Sequence, residues 1–175
     1  MSGPGRRPVL LALALGALSG CGFRPLYGEA SGPASEELRA IYVEPILERI
    51  GQRLEIALRN SLNPTGEPTP VRYRLRTTLA TALSNLGIES QGLASLGKLD
   101  VYATYTLIDA KTSQNLLTST VHVANSFDLN PNQYSTVVGG EDAAVRSVAE
   151  LDQEIVTRLA LFMERRIVDH PPAAS

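Results

Sequence analysis

The stretch Val71 to Leu83 (VRYRLRTTLATAL) constrains the fold most. In an extended chain successive side chains point to opposite faces. Val71, Tyr73, Leu75, Leu79 and Leu83 then share one face, while Arg72, Arg74, Arg76, Thr78, Ala80 and Ala82 share the other. Two later stretches obey the same period. Lys98 to Asp109 groups Leu99, Val101, Ala103, Tyr105 and Leu107, and Asn115 to Phe127 groups Leu117, Val121, Val123 and Phe127. The links between them read as a hairpin loop, 84–97, with Gly87, Gly92 and Gly97, and a turn, 109–114. Both are too short for a helical crossover, so an antiparallel meander is expected.

An apolar sheet face needs cover, and two helical patterns supply it. From about Leu47 to Leu62, Ile50, Leu54, Ala57, Leu58, Ser61 and Leu62 recur at helical spacing until Asn63, Pro64 and Gly66 end the run. From about Glu141 to Val168, Ala144, Val148, Leu151, Ile155, Leu159 and Phe162 form a second stripe. Acidic residues open this helix and Arg165 and Arg166 close it, which suits the helix dipole. Asn130 to Tyr134 reads as a break before it. Leu38 to Pro45 reads as a first strand whose neighbour no local pattern fixes. The expected fold is α+β, a four-stranded, mostly antiparallel sheet with two helices packed on one face.

The amino terminus follows a different grammar. Arg6 and Arg7 precede an apolar run, Val9 to Leu18, which leads into Leu18-Ser19-Gly20-Cys21. A basic start, a short apolar core and small residues are the marks of a secretory signal. The run is about half of the ~20 residues that a membrane-spanning helix needs. The cysteine is the chain's only one, and Leu-[Ala/Ser]-[Gly/Ala]-Cys resembles a lipobox, whose thiolate is alkylated by a lipid donor before cleavage. The expected organisation is a signal peptide at 1–20, a lipidated tether at 21–37, a single α+β domain at 38–169 and a disordered tail at 170–175. Losing Arg6 and Arg7 shifts the formal charge from −2 to −4. That argues against non-specific nucleic-acid binding. With Cys21 acylated no thiol is left for a disulfide or a thiol-based metal site.

The sequence shows no HExxH, CxxC, GxSxG, P-loop or GxGxxG pattern, so no enzyme, metal site or cofactor is expected. Of the two histidines, His122 falls in a strand and His170 in the tail. The constellation with recognition chemistry is Arg72, Arg74 and Arg76. Alternate strand residues lie about 7 Å apart, and a row of guanidiniums at that spacing suits phosphates or carboxylates. The competing reading is a solvated face whose arginines pair with acidic neighbours such as Asp100. The same face carries Ala80, Ala82, Tyr102 and Thr104, and could dock a protein or an acyl chain.

The segment Cys21-Gly22-Phe23-Arg24-Pro25-Leu26-Tyr27 resembles the start of mature lipopolysaccharide-assembly lipoproteins of the LptE type, especially those of alphaproteobacteria. The likeness continues through Ile41–Pro45, the helix from Arg53-Leu54 to Leu62, and the region Tyr134–Leu161, with Ala143-Ala144-Val145-Arg146 and Ile155-Val156-Thr157-Arg158-Leu159. The resemblance implies two helices against a four-stranded sheet, as the periodicity does. It also implies a lipid-anchored protein on the periplasmic face of the outer membrane. Such a protein would plug the lipopolysaccharide-transport β-barrel LptD, support barrel assembly, and bind lipopolysaccharide during delivery to the cell surface. Gly22 stands where an Asp would signal inner-membrane retention in enterobacteria, which is consistent with outer-membrane sorting. The alternative is an auxiliary lipoprotein of another envelope transport or secretion complex.

Overall fold

The computed structural model describes residues 33–88, 94–129 and 132–169. In chain order its elements are α1 (Pro33–Arg39), β1 (Ile41–Val43), α2 (Arg49–Leu62), β2 (Tyr73–Ile88), β3 (Ala94–Asp109), β4 (Asn115–Asp128) and α3 (Gln133–Asp169). The strands form one sheet in the order β1-β2-β3-β4. β2, β3 and β4 are the expected antiparallel meander. β1 runs parallel to β2, with Ile41, Tyr42 and Val43 opposite Tyr73, Arg74 and Leu75. α2 is the crossover that a parallel pair requires.

The helices pack on the apolar face, as the fold class anticipated. Leu54, Leu58 and Leu62 from α2 and Leu151, Ile155, Leu159 and Met163 from α3 meet Leu75, Val101, Tyr105 and Leu107 of the sheet in one buried cluster. Two polar links hold α2 to α3. Arg49 and Arg53 both reach Glu141, at 3.1 and 2.8 Å, and the Ser61 hydroxyl donates to Asp152 at 2.7 Å. Gly51 is needed where α2 passes beneath Ile46. A Cβ there would stand 2.7 Å from Ile46 Cγ2.

Three boundaries depart from the sequence reading. First, Leu38–Pro45 is not all strand. Residues 33–39 are helical and pairing is confined to Ile41–Val43. Proline at the first helical position, Glu36 in the first turn and Arg39 in the last are helix-start and helix-stop signals. They lie inside a stretch whose prolines and glycines suggest a tether. Second, 84–88 and 94–97 are strand where a loop is expected, and residues 89–93 lie outside the described residues. β2 continues to Ile88 and β3 begins at Ala94, with Leu86 opposite Leu96 and Ile88 opposite Ala94. The apolar residues of that segment belong to a longer hairpin, and Gly97 is a packing glycine. A Cβ on it would stand 2.5 Å from Phe127 Cζ. Third, α3 starts at Gln133 and runs through Gly139 and Gly140, which also lie against Phe127. Residues 1–32, with the expected signal and Cys21, and the expected tail 170–175 lie outside the described residues.

Candidate functional site

The helices cover one face of the sheet and leave the other open. Strand alternation sends Arg74 and Arg76 to the open face, beside Ile108 and Thr106 on β3, while Arg72 lies just before β2 begins at Tyr73. Each arginine has a carboxylate partner, though not the expected one. Arg72 Nη1 donates to Glu37 Oε1 at 2.7 Å. Arg74 and Arg76 share Glu44, at 3.6 and 2.9 Å. Glu37 comes from α1 and Glu44 from just past β1, so the parallel β1–β2 pair assembles the cluster. Arg74 and Arg76 against the single Glu44 leave a net positive group, while Glu37 matches Arg72 and also accepts from the Tyr73 hydroxyl at 2.8 Å. The arginine side chains remain 41, 38 and 58% exposed. An anion could therefore reach them without first breaking an ion pair.

Asp100, at the far end of the same face, is instead tied to neighbours on β3 and β4. His122 Nε2 lies 2.9 Å from Asp100 Oδ1, and Lys98 Nζ lies 3.0 Å from Asp100 Oδ2. The hydrogen bond to His122, and then that to Lys98, hold the Asp100 carboxyl below the usual carboxylate range. Tyr102 stacks on His122 with ring centroids 4.3 Å apart. Between this group and the arginines lies a threonine band. Thr104 and Thr120 hydroxyls meet at 3.0 Å, Thr106 and Thr118 at 3.2 Å, and Thr78 donates to the Thr104 carbonyl at 3.4 Å. The face thus offers guanidiniums at one end, hydroxyls in the middle and a Lys–Asp–His–Tyr group at the other.

Sequence reasoning found Tyr102 and Thr104 but not Lys98 or His122 as their companions. The signal was present as alternation, since Lys98, Asp100, Tyr102 and Thr104 share one face of β3. Linking them to His122 needed the β3–β4 register, which places His122 opposite Tyr102.

On the far edge, a cleft of about 420 Å³ separates β4 from α3, lined by Val121, His122, Glu150, Glu154, Thr157 and Arg158. Arg158 Nη1 closes one end on the Thr120 carbonyl at 3.1 Å, and Arg146 Nη2 bonds the Ser126 carbonyl at 3.0 Å. Among the described residues no group of three His, Cys, Asp or Glu side chains could hold a metal. Among those residues, too, no helix is long and apolar enough to cross a membrane.

No protein-family model matches the chain, and no curated protein matches it. Solved structures do match. A crystal structure from Caulobacter crescentus CB15, of a protein whose name calls it a lipoprotein, is 20% identical, with a TM-score of 0.63 over 77% of this chain and 98% of that one. The solution structure of lipoprotein B from Nitrosomonas europaea is 13% identical, with a TM-score of 0.57 over 74% of this chain and 87% of that one. A minor lipoprotein from Acinetobacter baumannii is 15% identical, with a TM-score of 0.50 over 69% and 90%. At these identities the shared property is the fold.

Proposed function

We propose that this protein is a lipid-anchored outer-membrane lipoprotein of the LptE type. It partners and plugs the lipopolysaccharide-transport β-barrel, aids its assembly, and takes part in delivering lipopolysaccharide to the cell surface. It catalyses no covalent chemistry. The observation that carries this reading is the Cys21-Gly22-Phe23-Arg24-Pro25-Leu26-Tyr27 start on a chain with this particular fold. The proteins that share the fold are themselves named as lipoproteins, which supports the anchor.

In this reading the anchor and the sheet divide the work. One acyl chain binds a membrane marginally and several bind stably, so acylated Cys21 holds the domain at the inner surface of the outer membrane. The open face then meets an anionic glycolipid, with Arg72, Arg74 and Arg76 engaging phosphates and the threonine hydroxyls engaging sugar oxygens. Affinity purification from detergent-solubilised outer membranes tests the partner. A large β-barrel recovered in one-to-one amount is expected. Recovery of a different envelope complex, or of no barrel, would overturn the assignment.

A further inference from the structure

The two edges of the sheet are treated differently. On β4 the outward carbonyls of Thr120 and Ser126 are capped by Arg158 and Arg146, a common way of blunting an edge strand. On β2 the edge beyond β1 is bare among the described residues. Glu44 N–H donates to the Leu75 carbonyl and Tyr73 N–H to the Ala40 carbonyl, so the odd-numbered residues of β2 aim their backbone groups toward β1. β1 ends at Val43, opposite Leu75. Thr77, Leu79, Thr81, Leu83 and Asn85 continue the same aim with no strand beside them among the described residues. The stretch Thr77-Thr78-Leu79-Ala80-Thr81-Ala82-Leu83-Ser84-Asn85 contains no charge, no proline and no glycine. Among the described residues none of the usual devices against edge pairing lies along it. Leu83, on the helix side of this overhang, is 68% exposed.

The sequence itself says what fits there. Leu79-Ala80-Thr81-Ala82-Leu83 reads the same in both directions, and a hydroxyl residue, Thr78 or Ser84, flanks each end. We infer that a second copy of this chain pairs with the first, β2 against β2 and antiparallel, about a two-fold axis through Thr81. Thr81 then faces Thr81, Leu79 faces Leu83, Ala80 faces Ala82, Thr78 faces Ser84 and Thr77 faces Asn85. Antiparallel partners directly opposite share a face. Each exposed Leu83 therefore meets a Leu79 on the helix side, and small side chains meet on the open side. The odd-numbered residues form the hydrogen-bonded pairs, which satisfies the bare edge and joins two four-stranded sheets into one. This pairing goes beyond the barrel reading and does not depend on it. A one-to-one barrel complex would have to release it, so self-pairing belongs to the chain before it meets that partner.

Cysteine cross-linking in the full chain carrying Cys21→Ser tests the register. Across a hydrogen-bonded pair the Cα atoms lie about 5.5 Å apart, within disulfide range. Thr81→Cys alone is expected to give a disulfide-linked dimer at least tenfold faster than Leu79→Cys alone, which lies about 13 Å from its own copy along the strand. An equal mixture of Leu79→Cys and Leu83→Cys is expected to cross-link as readily as Thr81→Cys. In sedimentation the chain without added cysteines should show dimer rising with concentration. Thr81→Pro should remain monomeric with an unchanged far-ultraviolet spectrum, because the lost N–H has no partner among the described residues. If Thr81→Pro fails to fold, Leu83→Lys serves as the second disrupting variant. A monomer at every concentration up to about 100 µM, or equal cross-linking of the Thr81→Cys and Leu79→Cys single variants, overturns the proposal.

Discussion

Asp152 and Asp100 show how local surroundings set opposite pH responses in one domain. Burial pushes the Asp152 carboxyl above its ordinary range, and the Ser61 hydroxyl offsets only part of that. Its Oδ1 has no hydrogen-bond partner. The folded state therefore favours the protonated form, and that contribution is complete below the unfolded value and lost as pH rises through the raised one. Asp152→Asn should raise the melting temperature at pH 7, and the gain should vanish near pH 3, below the ordinary aspartate value of about 3.9. Asp100 has the reverse sign. His122 and Lys98 lower its value, so its contribution is present above the unfolded value and lost as pH falls through the folded one. Asp100→Asn should lower the melting temperature at pH 7 and matter little near pH 2. Thermal melts of both variants across pH check the pair. For the arginine row, Gln is the better replacement. Glu at 72, 74 and 76 would stand against Glu37 and Glu44 and disturb folding as well as binding. The triple Gln variant should weaken lipopolysaccharide binding roughly tenfold at low salt, about 1.4 kcal/mol, with the loss shrinking as salt screens the charges. Unchanged affinity in a direct binding titration would return these residues to a solvated, paired face.

At the scale of elements, one aromatic ring ties β3 and β4 to α3. Phe127 of β4 lies against Gly97 of β3 and against Gly139 and Gly140 of α3. Gly97→Ala should force that ring aside and cost about 1–3 kcal/mol, as overpacking does, measurable by urea unfolding. The three long strands and the helix stripes were legible because period two and period 3.6 are local. The longer hairpin was hidden because glycines in 84–97 read as turn residues, although Leu86, Ile88, Leu93 and Leu96 were already too apolar for a solvated loop. The start of α3 was hidden for the same reason, since Gly139 and Gly140 serve close packing there. Of the candidate site, the shared face of Arg74 and Arg76 was legible from alternation, whereas Arg72 precedes the strand. Their partners were not, because Glu37 and Glu44 arrive through a parallel pairing across an entire helix, and that contact has no local sequence signature.

Over the whole molecule, the proposed function separates an amino terminus expected to carry lipid at Cys21 from a folded domain that would recognise larger molecules. The domain's core comes from α2, α3 and the sheet. The described fold begins at Pro33, twelve positions beyond Cys21. Removing the thiol should therefore block processing without unfolding the domain. Cys21→Ala is expected to keep its first 20 residues, carry no lipid and leave the outer-membrane fraction, with the melting temperature of the domain unchanged, as fractionation, intact mass and a thermal melt would show. The most direct measurement is the intact mass of the native protein isolated from outer membranes. The account predicts a polypeptide beginning at Cys21 and carrying the added mass of a diacylglyceryl group and a further acyl chain. An unmodified polypeptide that still carries its first 20 residues would contradict it.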